Sequence, residues 1–341
     1  MKRILYTVLM MVMLTQLVSC EVEFSPNADW KEVPVVYCVL NPDDDTSYVR
    51  VQKCFLSDNN LNDYVTISDS MNYPEGELTV KLLEWKARKL ANNVLVKEGS
   101  KPVDSLLFQY ELKDKEEGLF DYPYQPIYAC KTRNKLDTNC IYQLVVLKSA
   151  TSDTLAHAET SLLGGTSKID MINGFRPGAN NFLFKFVQKG KCTLTWKTWT
   201  RGRLYQPRVR FYYKQDGEVR HVDVRCNEVT NSGKQSTLSS TISQGAYFTD
   251  IKNALKNDPS PKSFIHHVDI TIDACEENLN AYLASIRAIN SGSQSTQVYT
   301  NIENGIGVFS ARRSITVSVP SDSAAGVGTY MAMLKDLNVG F

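Results

Sequence analysis

The 341-residue sequence predicts a mainly β protein, built as two β-sandwich-like domains of which the second carries two short helices. Three observations predict it. Apolar and polar residues alternate with a period of two through most apolar segments, the pattern of strands with one buried and one wet face. Clusters of Asn, Asp, Pro and Gly separate those segments at fairly regular intervals, as in a sandwich of short strands. Asp216-Gly217, a favoured two-residue hairpin turn, sits between two runs whose pairing sorts their side chains by polarity.

The first element is a leader. Lys2 and Arg3 precede an apolar run from Ile4 to Val18, which fits a signal-peptide core and is short for a membrane span of about 20 residues. The run closes on Leu17-Val18-Ser19-Cys20, which resembles the bacterial lipobox, in which small residues precede a Cys whose sulfur accepts diacylglycerol before cleavage. The division expected is a signal peptide over 1–19, a lipidated Cys20 and tether over 20–32, an immunoglobulin-like sandwich over 33–165 and a second β-rich domain over 166–341. Residues 21–27 are acidic and punctuated by Pro26, which suits a solvated tether.

Within the first domain Val33 to Leu40 is apolar and β-branched, and Tyr48 to Gln52 alternates. Asn41-Pro42-Asp43-Asp44-Asp45 between them is turn chemistry, since Pro fixes φ and Asn and Asp bond their own backbone. Leu78 to Leu82, Leu106 to Leu112 and Ile141 to Leu147 are further strand candidates. In the second domain, folding the chain at Asp216-Gly217 pairs Phe211 with Val222, Val209 with Val224 and Arg210 with Asp223. A slip of one residue would destroy that sorting. Asn304-Gly305 predicts a similar turn between 297–303 and 306–319, with a bulge at Gly307. Phe248, Ile251 and Leu255 recur at helical spacing, as do Leu279, Tyr282, Leu283 and Ile286, which predicts helices near 247–257 and 276–289.

Net charge is +1, which predicts no bulk affinity for nucleic acid. The distribution is uneven: residues 21–84 carry 13 acidic and 4 basic side chains, and residues 185–225 carry 11 basic and 3 acidic. The basic stretch reads either as a face for an anionic ligand or as the solvent side of strands docked on the acidic part. Apart from Cys20 there are seven cysteines, an odd number that leaves at least one thiol free. Cys130 and Cys140 flank a polar stretch between strand-like runs and form the best disulfide candidate; Cys192 with Cys226 is a weaker one.

No metal, cofactor or catalytic set is nominated. The sequence has no CxxC, HExxH, GxSxG or phosphate-cradling Gly loop. Asp43-Asp44-Asp45 lacks the alternate spacing of a calcium loop and reads as a solvated turn. Aromatic residues are the better lead. Trp199, Arg201, Arg203 and Tyr205 would form a platform for sugar rings or a protein partner if exposed. Trp196, in phase with Leu194, is expected to be core.

Val298-Tyr299-Thr300-Asn301-Ile302-Glu303-Asn304-Gly305-Ile306-Gly307-Val308-Phe309 resembles the closing motif of the envelope lipoproteins classed as domain of unknown function 4249. Val36 to Lys53 is similar to that family's first strands, and Lys191 to Tyr213 is similar in style. The resemblance implies a lipid-anchored protein of the outer membrane, often encoded near TonB-dependent transporters, with no catalytic residue to carry over. The expectation is a non-enzymatic binding or assembly protein without a cofactor. The membrane is its partner through the anchor, and a transporter or a glycan is the open choice beyond it. The periplasmic and surface faces both stay open. The alternatives are a surface hydrolase of polysaccharide or peptide, and a structural envelope component.

Overall fold

The alternation from Val33 to Leu40 becomes strand β1 (Pro34–Leu40), with Val36, Cys38 and Leu40 buried. The Asn41–Asp45 turn returns the chain as β2 (Thr46–Lys53), antiparallel to β1 with Val36 opposite Val51. Asn41 closes the turn, accepting from Asp43 N at 3.1 Å and donating to Asp44 Oδ1 at 2.7 Å. The computed structural model describes residues 33–54, 71–91, 93–114, 124–187, 190–258, 260–292, 297–321 and 339–340. The leader, Cys20 and the tether lie outside the described residues.

Then come β3 (Leu78–Trp85), the small hairpin β4 (Ala87–Lys89) and β5 (Leu95–Lys97), β6 (Asp104–Leu107), β7 (Gln109–Asp114), β8 (Tyr124–Lys131), β9 (Ile141–Lys148) and β10 (Thr154–Ser161). Apart from the β4–β5 hairpin, which pairs only with itself, they lie in two layers, β1-β2-β8-β7 at one end of the largest sheet and β10-β9-β3-β6 as a sheet of its own. Read as strands A to G, these are A-B-E-D and G-F-C-C′, the strand order of an immunoglobulin-like sandwich. The single strand expected over Leu106–Leu112 is two. Phe108 is buried at the break, its N–H donating to Val80 O at 3.0 Å, so the chain leaves one sheet at β6 and joins the other at β7.

The later strands are β11 (Ile169–Ile172), β12 (Lys191–Lys197), β13 (Leu204–Gln215), β14 (Glu218–Arg225), β15 (Val229–Thr230), β16 (Thr237–Ser243), β17 (Lys262–Cys275), β18 (Ile306–Pro320) and β19 (Val339–Gly340). Helix α1 (Gln244–Leu255) starts at an N-cap, Ser243, whose Oγ accepts from Ala246 N, and it buries Phe248, Ile251 and Leu255 as their spacing predicts. Helix α2 (Glu277–Asn290) lies on β18 with its apolar stripe only half covered. Strands β11, β12 and β16 make a separate three-stranded sheet.

The hairpin register is the one the sequence predicts, with Phe211 opposite Val222, Val209 opposite Val224 and Arg210 opposite Asp223. Asp216 and Gly217 have φ of 52° and 86°, the left-handed pair such a turn requires. The Asn304-Gly305 turn behaves differently. Asn304 is left-handed (φ 60°), but 297–302 is not a strand and β18 does not fold back on it. Instead β18 runs parallel to β1, Val36 opposite Gly307, and antiparallel to β17.

That pairing bears on the expected division at 165. One sheet runs β14-β13-β17-β18-β1-β2-β8-β7, so strands from both sides of the boundary share hydrogen bonds, and Val33–Phe341 forms one unit. Buried side chains of the sandwich (Leu82, Tyr142, Leu144) and of the later strands (Trp196, Phe211, Ile270) belong to one core.

The disulfide expectation is corrected. All seven described cysteines carry free thiols, Cys130, Cys140, Cys192 and Cys226 included. Cys130 lies on β8 and Cys140 at the start of β9, and these strands belong to different sheets. Cys140 turns instead toward Glu84 Oε1, 3.3 Å away, and burial pushes its thiol up to about 12.

Candidate functional site

A cleft of about 450 Å³ opens where the sandwich meets the later strands. The tip of the β4–β5 hairpin (Asn93–Leu95) and Ser161 form the sandwich side. The Thr198–Arg203 loop, the Asn231–Ser236 loop and the first residues of α2 form the other. Three residues nominated from sequence, Trp199, Arg201 and Arg203, line this cleft, and Tyr205 lies beneath it.

Their roles differ from an exposed aromatic platform. Trp199 is 3% exposed and Tyr205 fully buried. Their rings stack 6.3 Å apart at 12°, the Tyr205 hydroxyl donates to Trp199 O at 3.3 Å, and the Arg313 guanidinium lies 5.9 Å from the Trp199 ring centre. Burial pushes the Tyr205 hydroxyl up to about 12. Trp196 is fully buried, as its phase with Leu194 predicts. Trp196 on β12 and Tyr205 on β13 turn inward, and the ring of Trp199, from the loop between these strands, joins them in one shared core.

Arg201 acts as a bolt. It is left-handed (φ 69°), and its guanidinium donates to the carbonyls of Leu162 (2.8 and 2.6 Å) and Thr138 (2.5 Å) on the sandwich side. Burial lowers its pKa, against the opposing field of Glu276. Glu276 itself caps α2 and is 5% exposed. Its Oε1 accepts from Thr160 Oγ1 (2.6 Å), Asn278 Nδ2 (2.8 Å) and Ser310 Oγ (3.3 Å), and its Oε2 from Asn278 N (2.8 Å). Burial raises its pKa, and those hydrogen bonds oppose the rise. Glu276 has no local signal in the sequence beyond its place at the start of the helix expected over 276–289; its reach to Thr160, 116 positions away, is a tertiary property.

Arg203 is the accessible cation of the set. Its Nε donates to Glu277 Oε2 at 2.7 Å, its side chain is 25% exposed, and its backbone is fixed to Cys275 O and Asn231 N. Gly233, with φ 88°, lies so close to the Arg203 guanidinium that a side chain there would overlap it. Lys234 follows on the same loop and is exposed.

Among the described residues no ion pair joins the two charge blocks. Asp43, Asp44 and Asp45 pair with Arg313 (2.7 Å), Arg312 (3.6 Å) and Arg133 (2.5 Å), beside a more open hollow of about 550 Å³. The basic stretch is answered nearby: Arg208 and Arg210 share Asp223 at 2.9 and 2.6 Å, and Arg203 has Glu277. No protein-family model matches the chain, and no curated protein is significantly similar to it.

Proposed function

We propose that this protein is a lipid-anchored component of the bacterial outer membrane, of non-enzymatic binding or assembly type, which engages its ligand or partner through the Trp199–Arg203 cleft. The observation that carries the reading is Leu17-Val18-Ser19-Cys20 at the end of a charged and apolar leader, about 13 residues before the first strand at Pro34. Acyl chains such as palmitate on Cys20 would add about 0.8 kcal/mol per buried CH₂. The resemblance to the envelope lipoprotein family supports the same address and points to a TonB-dependent transporter or a glycan as the partner.

The binding character is supported by how the cleft spends its acids. A glycosidase needs two carboxyl groups free to reach substrate, about 5–9 Å apart. Here Glu276 accepts four hydrogen bonds from the protein and Glu277 is engaged by Arg203. Mass analysis of the mature amino terminus from the membrane fraction tests the anchor. The expected result is a diacylglyceryl thioether on Cys20, with Cys20→Ala released to the soluble fraction. An unmodified thiol or a retained leader overturns it.

A further inference from the structure

We infer that the cleft takes a carboxylate-bearing saccharide, with Arg203 and Lys234 reading the carboxylate. This rests on the cleft being a binding site, as proposed above, and adds the class of its ligand.

The argument starts with what Arg203 leaves unused. Glu277 holds the guanidinium through Nε alone, and neither Nη atom has a hydrogen-bond partner among the described residues. The loop beside it is stiff. Asn231 Oδ1 accepts from the N–H groups of Gly233 (2.9 Å) and Gln235 (3.3 Å), its Nδ2 donates to Gln235 O (2.8 Å), and Thr198 Oγ1 donates to the same carbonyl at 2.8 Å. Gly233 permits close passage over the guanidinium, and Lys234 is thereby held at the same rim with no ion pair among the described residues. With Nε engaged by Glu277, the Nη1–Nη2 edge is the one bidentate face of the fork left open, and beside a point cation it is a carboxylate receptor, since Arg binds carboxylate in a bidentate manner.

Charge balance favours a monoanion. Arg203, Lys234 and Glu277 sum to one positive charge at the mouth, while Glu276 is buried and Arg201 half-buried and bonded to Leu162 and Thr138. A phosphate dianion would find no free helix end either, because the carboxylates of Glu276 and Glu277 occupy the start of α2. The remaining walls suit a sugar. Asn93, Thr200 and Ser236 offer amide and hydroxyl groups, and Val94 and Leu95 offer an apolar surface for the C–H face of a ring. The volume of about 450 Å³ lies within the range of about 300–1,000 Å³ typical of small-ligand sites.

Calorimetry on the full-length protein in detergent tests this, with trimers of galacturonate, glucuronate and mannuronate as probes and their neutral methyl esters and inorganic phosphate as controls. At least one uronate should bind, its methyl ester about tenfold or more weakly, and Lys234→Gln and Arg203→Gln should each weaken binding about tenfold. Lys234 is exposed, so its variant reports without disturbing the fold. If no uronate binds, if an ester binds equally well, if phosphate competes at equal concentration, or if Lys234→Gln binds unchanged, the inference fails. Equal binding of an ester, or competition by phosphate, overturns the ligand class and leaves the cleft a binding site, whereas no heat with any probe counts against the cleft itself; retained acylation of Cys20 in the same preparation shows that the anchor reading survives either failure.

Discussion

Two residues decide how the last long strand enters the sheet. Asn301 lies outside any strand, yet its side chain copies one: Oδ1 accepts from Phe309 N at 3.0 Å and Nδ2 donates to Phe309 O at 2.8 Å. It thereby clips the segment before the turn onto β18 without a backbone ladder. Gly307 sits directly over β1 with φ 117°, and a methyl group there would overlap the Val36 carbonyl oxygen. Asn301→Ala should cost about 1–3 kcal/mol, the loss of both bonds to Phe309 and of a longer one from Nδ2 to Glu159 O (3.4 Å). Gly307→Ala should cost more, because strain of about 1–3 kcal/mol at a disallowed φ adds to the steric overlap. Urea unfolding checks both, and an unchanged midpoint for Gly307→Ala would remove the close-approach argument. From sequence, Asn301 falls in an expected strand over 297–303 and Gly307 at an expected bulge after the Asn304-Gly305 turn, because a side chain that imitates a strand leaves no periodic trace.

At the scale of elements, legibility follows sequence distance. The β13–β14 hairpin is readable to the residue because its partners are separated by one two-residue turn and its polarity sorting admits one register. Helix α1 is readable for a similar reason, its apolar spacing being local. The parallel pairing of β1 with β18 joins residues some 270 positions apart and has no local signal. The hairpin also carries a pH signature. Hydrogen bonding from Arg210, then Arg208, holds the Asp223 carboxyl well below the usual carboxylate range, against the opposing effect of its partial burial. The native state therefore releases this proton more readily than the unfolded chain. Its stabilisation is complete above the ordinary carboxylate value of about 4 and drains away as pH falls below it. Asp223→Asn should flatten part of the acid limb of a stability-versus-pH curve. Because the pair is partly exposed, the cost at pH 7 should not exceed about 1 kcal/mol. An acid limb identical to wild type would show that the pair contributes nothing.

For the whole molecule, the question is whether a sandwich and its extension behave as one body. Length alone suggests two domains, with one large β domain the other choice, and the turn-rich Leu163-Gly164-Gly165 offers a place to divide them. The described chain does not separate there. Gly164 exchanges backbone hydrogen bonds with Thr200 at 3.0 and 2.8 Å, Arg201 bridges to Leu162 and Thr138, Arg313 reaches Asp43, and β18 completes the edge of β1. Splitting the two parts would strip β1 of a hydrogen-bonding neighbour and open the core that Val36 and Phe309 share. The candidate cleft is built from both parts, so it exists only while they hold together. Its residues were half legible for that reason: Trp199, Arg201 and Arg203 sit close in sequence, whereas Glu276 and the β4–β5 tip arrive by tertiary folding. One cooperative transition is expected. Variants retaining only Trp85, on β3, or only Trp196, on β12, should report the same urea midpoint by fluorescence, since each ring sits in a different part of one connected structure. Two midpoints separated by more than about 0.5 M urea, with slopes appropriate to smaller units, would mean that the parts unfold independently and that the cleft between them is a hinge, not a fixed site.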